Sequence, residues 1–80
     1  MNPVRFPEQN CVYKAEGCED LPVCRQMNKQ FGVAEYISCW QLTDQDLALI
    51  LQQMKAGQRP AIYLSVVSGQ PPVAMWLKGK

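Results

Sequence analysis

The fold is decided by the stretch 42–57, LTDQDLALILQQMKAG, because both ends of a helix can be recognised in it. Thr43 can cap the first turn, since its hydroxyl can accept the backbone N–H of Asp46, whose own carboxylate can reach back in a capping box. Asp44 and Asp46 also place negative charge at the positive end of the helix dipole. The sequence therefore predicts a helix that begins at Asp44.

The end of this helix and its apolar face are also marked. Gly57 is suited to a left-handed terminator and Pro60 prevents the helix from resuming, which predicts an end near Ala56. The large apolar residues recur at spacings of three, four and seven, so they share one stripe that we expect to face a sheet. The members of this helix stripe are Leu47, Ile50, Leu51 and Met54.

The segment after the helix predicts a β-hairpin. Apolar residues alternate along Ala61–Val67 and again along residues 73–77, and residues 68–72 supply a turn between them. Pro71 and Pro72 lack an amide hydrogen, so the second strand begins with two missing ladder donors. We expect this strand at a sheet edge.

The segment before the helix predicts a short strand at 10–14 and a second hairpin. Residues 23–27 and 33–40 are rich in β-branched and aromatic side chains, and residues 28–32 form a loop between them. A helix over residues 24–31 is the chief alternative.

Length and composition bound the architecture. Eighty residues with 48% hydrophobic side chains indicate a single small globular domain, residues 1–80, in which residues 1–10 form an extended N-terminal arm. We predict an α+β fold: a small, mainly antiparallel sheet of about four strands with one amphipathic helix packed on one face. The expected core consists of Val23, Ile37, Leu42, Leu47, Ile50, Leu51, Met54, Ile62, Leu64, Val66, Val73 and Met75.

Charge and hydropathy restrict the partners. The formal net charge is +1 and no polybasic run is present, so nucleic acid is not an expected partner. The apolar segments are too short to span a bilayer as a helix, and prolines interrupt the region where an export signal would lie. We therefore expect no membrane association and a cytoplasmic location, where cysteines are kept reduced.

The four cysteines, Cys11, Cys18, Cys24 and Cys39, are the candidate metal ligands. Four thiolates suit tetrahedral zinc, but the gaps of six, five and fourteen residues contain no Cys-x-x-Cys knuckle. Two alternatives stay open. The cysteines can be small packing or loop residues, or Cys24 and Cys39 can approach each other as a disulfide across the first hairpin.

The sequence offers little for catalysis. The chain contains no histidine, which removes the commonest base for a nucleophilic cysteine. The carboxylate pairs are explained by a solvated loop at Glu19 and Asp20 and by helix capping at Asp44 and Asp46. No phosphate-binding glycine motif is present. We therefore predict a protein that is not an enzyme and has no cofactor, unless zinc is bound.

Aromatic residues point to protein binding. A small sheet covered by one helix has a second face, on which we expect Tyr63, Val67 and Trp76, beside the edge formed by Pro71 and Pro72. These five residues are the predicted protein-binding site. The alternative is that the rings cover the edge of the core. The expected partner is another protein or a second copy of the chain, and the competing function is a zinc-stabilised four-cysteine domain with a structural or nucleic-acid-binding role.

One further pattern runs along most of the chain. Its segments are Asn10-Cys11 to Ala15, Gly17-Cys18-Glu19-Asp20-Leu21-Pro22-Val23, Ser38-Cys39-Trp40-Gln41-Leu42, Ile62-Tyr63-Leu64-Ser65-Val66 and Gln70-Pro71-Pro72-Val73. The pattern resembles that of small proteins encoded by tailed-phage and prophage genomes. This resemblance implies a phage or prophage product that works in a bacterial cytoplasm on a host or phage protein. It carries over no activity.

Overall fold

A computed structural model describes residues 1–14, 20–66 and 72–79. The chain forms two compact units. The N-terminal unit is Pro3–Gln41, and the C-terminal unit comprises Met1–Asn2 with Leu42–Lys80. Each unit therefore contains about forty residues, which is near the lower limit at which a chain can bury a core without help from a metal, a disulfide or another subunit.

The described residues form seven strands and one helix, so the α+β class is confirmed. The strands are β1 (Asn2–Val4), β2 (Cys11–Tyr13), β3 (Leu21–Asn28), β4 (Val33–Ile37), β5 (Cys39–Gln41), β6 (Ile62–Val66) and β7 (Pro72–Leu77), and the helix is α1 (Asp44–Lys55). A single four-stranded sheet is not confirmed. The described strands instead form the sheets β1-β5, β2-β3-β4 and β6-β7.

The three-stranded sheet belongs to the N-terminal unit and confirms the first predicted hairpin. β3 pairs antiparallel with both β2 and β4. Residues 24–28 are strand, so the helical alternative for residues 24–31 is wrong. The loop is stabilised by the Asn28 side chain, which accepts the backbone N–H groups of Gln30 and Phe31, and by Gly32 at a φ of 70°.

The core of the N-terminal unit lies on one face of this sheet. Leu21 and Val23 are buried, and the register places Tyr13 and Tyr36 on the same face. The two tyrosine rings meet edge to face with their centroids 5.8 Å apart. This geometry is a favoured one for aromatic pairs, and it brings together rings from the two outer strands of the sheet.

The helix is built as the sequence predicts. The Thr43 hydroxyl accepts the Asp46 backbone N–H at 3.1 Å, and the Asp46 carboxylate accepts the Thr43 backbone N–H at 2.9 Å, which completes the capping box. After the last helical residue, Gly57 adopts a φ of 75°, the left-handed conformation that glycine enters without a Cβ penalty. Both predicted ends are confirmed to within one residue.

The predicted core is wrong for most of its members. Val23 is buried, and Ile50 and Met75 are half-buried, but the other described members are exposed: Ile37, Leu42, Leu47, Leu51, Met54, Ile62, Leu64 and Val66. Val73 lies outside the described side chains. Periodicity identified the apolar face of each element, but it contains no information on what covers that face.

Candidate protein-binding surface

The β6–β7 hairpin positions the predicted aromatic pair. Tyr63 and Trp76 are directly opposite each other in the antiparallel register, and side chains of such a pair lie on the same face. Alternation along each strand places Ile62 and Leu77 on the other face, where Leu77 is buried. The two faces of this hairpin are therefore distinct: one carries the aromatic pair, and the other carries aliphatic side chains.

The aromatic pair is in contact and accessible at the same time. The ring centroids of Tyr63 and Trp76 are 5.7 Å apart with an angle of 46° between the ring planes. Tyr63 is 46% exposed and Trp76 is 40% exposed. Each ring thus restrains the other while presenting apolar surface, and the phenol and indole groups add a hydroxyl and an N–H donor for a partner. This pair is the arrangement expected of a contact surface.

The remaining residues of the predicted site lie partly outside the described chain. Val67 and Pro71 are not among the described residues. Pro72 is the first residue of β7 and lies opposite Val66, next to an irregularity in the register at Ser65 and Val66. The lack of an N–H at Pro72 weakens the ladder at that end, as the sequence predicts.

The aliphatic face of the hairpin was not predicted to be accessible. Ile62, Leu64 and Val66 are each 52–56% exposed, although alternation marked them as core residues. A sequence signal for this outcome exists: residues 60–77 contain no charged side chain. Depletion of charge is typical of the centre of a protein interface as well as of a core.

The helix stripe is accessible as well. Leu47, Leu51 and Met54 are between 50 and 61% exposed. The helix meets the end of the hairpin through Gln53, whose side-chain amide donates to the backbone carbonyl of Lys78 at 2.8 Å. This polar contact anchors α1 to the end of β7, but it leaves Leu47, Leu51 and Met54 of the stripe exposed.

The cysteines do not converge in the described part of the chain. Cys11 lies opposite Val23, so Cys24, one residue further along β3, is on the other face of the sheet from Cys11. Cys11, Cys24 and Cys39 are free thiols, so the Cys24–Cys39 disulfide alternative is not confirmed. Cys18 lies outside the described residues. Zinc binding stays a prediction, and the metal content of the purified, reduced protein tests it.

One ionic group was missed by sequence reasoning. Asp46 is fully buried, and its carboxylate pairs with the amino terminus of Met1 at 2.6 Å while it also caps the helix. The capping box was recognisable, but the arrival of the amino group depends on tertiary structure. Both contacts assign Asp46 a structural role, in agreement with its interpretation as a capping residue.

Polar side chains on β3 and β4 form a second small network. Gln26 and Asn28 donate to the two carboxylate oxygens of Glu35 at 2.6 and 3.1 Å, and these bonds lower the pKa of Glu35. Arg25 donates to the Tyr36 hydroxyl at 3.4 Å, a contact that raises the pKa of Arg25. The lowered pKa of Glu35 and the raised pKa of Arg25 both favour the charged form of the side chain, so the network stabilises the hairpin.

Comparison with known proteins does not identify a relative from which a function could be inferred. No protein family, curated protein or solved structure matches the chain. Within the described residues, no group of three or more potential ligands is arranged to hold a metal ion. In the same part of the chain, no helix is long and apolar enough to cross a membrane.

Proposed function

We propose that the protein is a non-enzymatic protein-binding module that contacts a host or phage protein through the aromatic face of β6–β7. The observation that carries this proposal is the exposed, mutually restrained pair Tyr63 and Trp76. Tyrosine and tryptophan are enriched among the residues that dominate binding energy, because they bury a large area at a low cost in conformational entropy. In this proposal Val67, Pro71 and Pro72 belong to the same site.

The charge pattern favours a protein over a nucleic acid as the partner. The hairpin has no charged residue between Arg59 and Lys78, and the whole chain has a formal charge of +1. Nucleic acids are bound largely through lysine and arginine contacts to phosphates, whereas the centre of a protein interface is depleted in charge. The resemblance to phage-encoded proteins supports a bacterial setting for that partner.

Affinity capture followed by a binding measurement tests this proposal. The wild-type chain is immobilised and exposed to bacterial lysate. The protein that it retains is then identified, purified and titrated against the chain. Trp76→Ala and Tyr63→Ala are each expected to weaken binding of that purified protein by roughly 30-fold or more, the effect of removing a residue that dominates an interface. Circular dichroism verifies that each variant is folded.

Phe31→Ala is the matched control. Phe31 is 71% exposed, is aromatic, and lies in the turn between β3 and β4 of the other unit. Its removal is expected to leave the dissociation constant unchanged within twofold. Equal binding by the Trp76, Tyr63 and Phe31 variants contradicts the proposal, and so does the absence of any protein retained specifically by the wild-type chain.

A further inference from the structure

We propose that a second copy of this chain covers the apolar surfaces of the C-terminal unit, with the helix stripe of each copy packed on the aliphatic face of β6–β7 in the other. The two surfaces are the helix residues Leu47, Leu51 and Met54 and the hairpin residues Ile62, Leu64 and Val66. This inference goes beyond the proposed function, because it concerns the hairpin face opposite Tyr63 and Trp76.

The two surfaces are complementary in kind. An amphipathic helix buries its stripe against a sheet, and a sheet buries its apolar face against a helix. The C-terminal unit contains both an apolar helix stripe and an apolar sheet face, yet the residues of each are about half exposed. In the described chain β6 and β7 form a sheet of only two strands, and such a hairpin is marginally stable unless another element covers it. Reciprocal packing between two copies buries both surfaces at once.

The exposed apolar area agrees with the apolar area of a stable dimer interface. A half-exposed Leu, Ile or Met side chain leaves on the order of 80 Å² accessible, so the six residues together offer about 500 Å² of apolar surface. A standard interface covers about 800 Å² on each partner, of which about 57–65% is apolar, or roughly 450–520 Å². The apolar surface available on one copy therefore equals what a standard dimer interface requires.

The charge pattern is that of the centre of a protein interface. The centres of protein interfaces, including those between two copies of one chain, are depleted in charged side chains. The helix from Leu47 to Met54 and the hairpin from Pro60 to Leu77 contain no charged side chain. The charged residues of the C-terminal unit lie outside both segments: Asp44, Asp46, Lys55, Arg59, Lys78 and Lys80.

Sedimentation equilibrium over a dilution series tests this proposal. Variants that place a charge on one of the two surfaces identify which surfaces form the interface. The wild-type chain, 9.1 kDa as a monomer, is expected to shift from that mass towards twice that mass as its concentration rises from 1 µM to 100 µM. Leu51→Lys and Leu64→Glu alone are each expected to weaken dimerisation by at least 100-fold. Their mixture is expected to form a heterodimer, because one interface then pairs Lys with Glu and the other is wild type.

Met27→Lys is the matched control, since Met27 is 62% exposed and belongs to β3 of the N-terminal unit. It is expected to dimerise as the wild type does.

A wild-type chain that stays monomeric at 100 µM overturns the proposal, even if a charge variant fails to fold. Dimerisation that survives both Leu51→Lys and Leu64→Glu, or a mixture of the two that stays monomeric, overturns the assignment of these surfaces. A variant that no longer dimerises but still binds the protein captured by the aromatic face would show that the two surfaces act independently. That result distinguishes failure of this proposal from failure of the proposed function.

Discussion

At the scale of single residues, Asp46 connects local and tertiary structure. Its carboxylate accepts the Thr43 backbone N–H and pairs with the Met1 amino group, and the residue is fully buried. A buried carboxylate is stable only when its charge is paired and its oxygens are hydrogen-bonded, so these contacts compensate for the loss of water. Sequence reasoning found the first contact because capping is local, and it missed the second because that contact joins distant positions.

Substitutions at the helix start should separate the two roles of Asp46. Thr43→Ala removes one capping bond and is expected to lower the free energy of unfolding by about 1 kcal/mol. Asp46→Ala removes a capping bond and also leaves the Met1 amino group without its carboxylate partner, so a loss of about 2–3 kcal/mol is expected. Urea denaturation at pH 7 measures both. The exposed Asp44 is the control, and Asp44→Ala should cost no more than about 0.5 kcal/mol. Equal losses at the two aspartates would contradict the structural role of Asp46.

The carboxylate of Glu35 should make the first hairpin sensitive to acid. Hydrogen bonds from Gln26 and Asn28 lower its pKa in the folded chain relative to the unfolded chain. A lowered folded pKa contributes stability that is present above the unfolded value and is lost as the pH falls through the folded value. Urea midpoints measured from pH 7 to pH 3 should therefore fall less steeply for Glu35→Gln than for the wild type. Parallel pH profiles would show that these hydrogen bonds contribute nothing to stability.

At the scale of elements, local signals were sufficient to predict the helix and the two hairpins, but not the pair of strands β1 and β5. The helix begins after Thr43 and is followed by Gly57 because a side-chain cap and a left-handed glycine act within one turn of the chain. The two hairpins were also predictable, since alternation and turn residues lie close together in sequence. Of the two interpretations of residues 24–31, the strand is observed, because pairing with both β2 and β4 stabilises β3 along its length.

The helix terminator gives a prediction at this scale. Gly57 has a φ of 75°, and a Cβ added there would meet no other atom within 4 Å. Any cost of substitution therefore comes from backbone conformation alone. Gly57→Ala should destabilise the chain by about 1–2 kcal/mol, and Gly57→Asn should cost less, because asparagine enters the left-handed region more readily. Thermal denaturation of the two variants measures this difference. A neutral Gly57→Ala substitution would show that this turn can relax without penalty.

At the scale of the whole molecule, sequence reasoning failed on the core. Leu21 and Leu77 are buried but were not placed in the predicted core, although Leu77 alternates with Met75 along its strand. The helix stripe was placed in the core, but three of its four residues, Leu47, Leu51 and Met54, are exposed. Burial depends on which surfaces meet, and a pattern of apolar residues is the same whether the covering surface comes from the same chain or from another one. The aromatic pair was predictable because both rings lie opposite each other in a hairpin with local signals.

The most direct test of the central claim, that the C-terminal unit is completed by protein contacts, is hydrogen exchange of the wild-type chain at 1 µM and 100 µM. Amide protection in α1 and β6 is expected to increase with concentration, because association covers these segments, while protection in β3 and β4 stays constant. The result that would contradict the claim is protection in α1 and β6 that is the same at both concentrations, since their apolar surfaces would then remain exposed to water or be covered within a single chain.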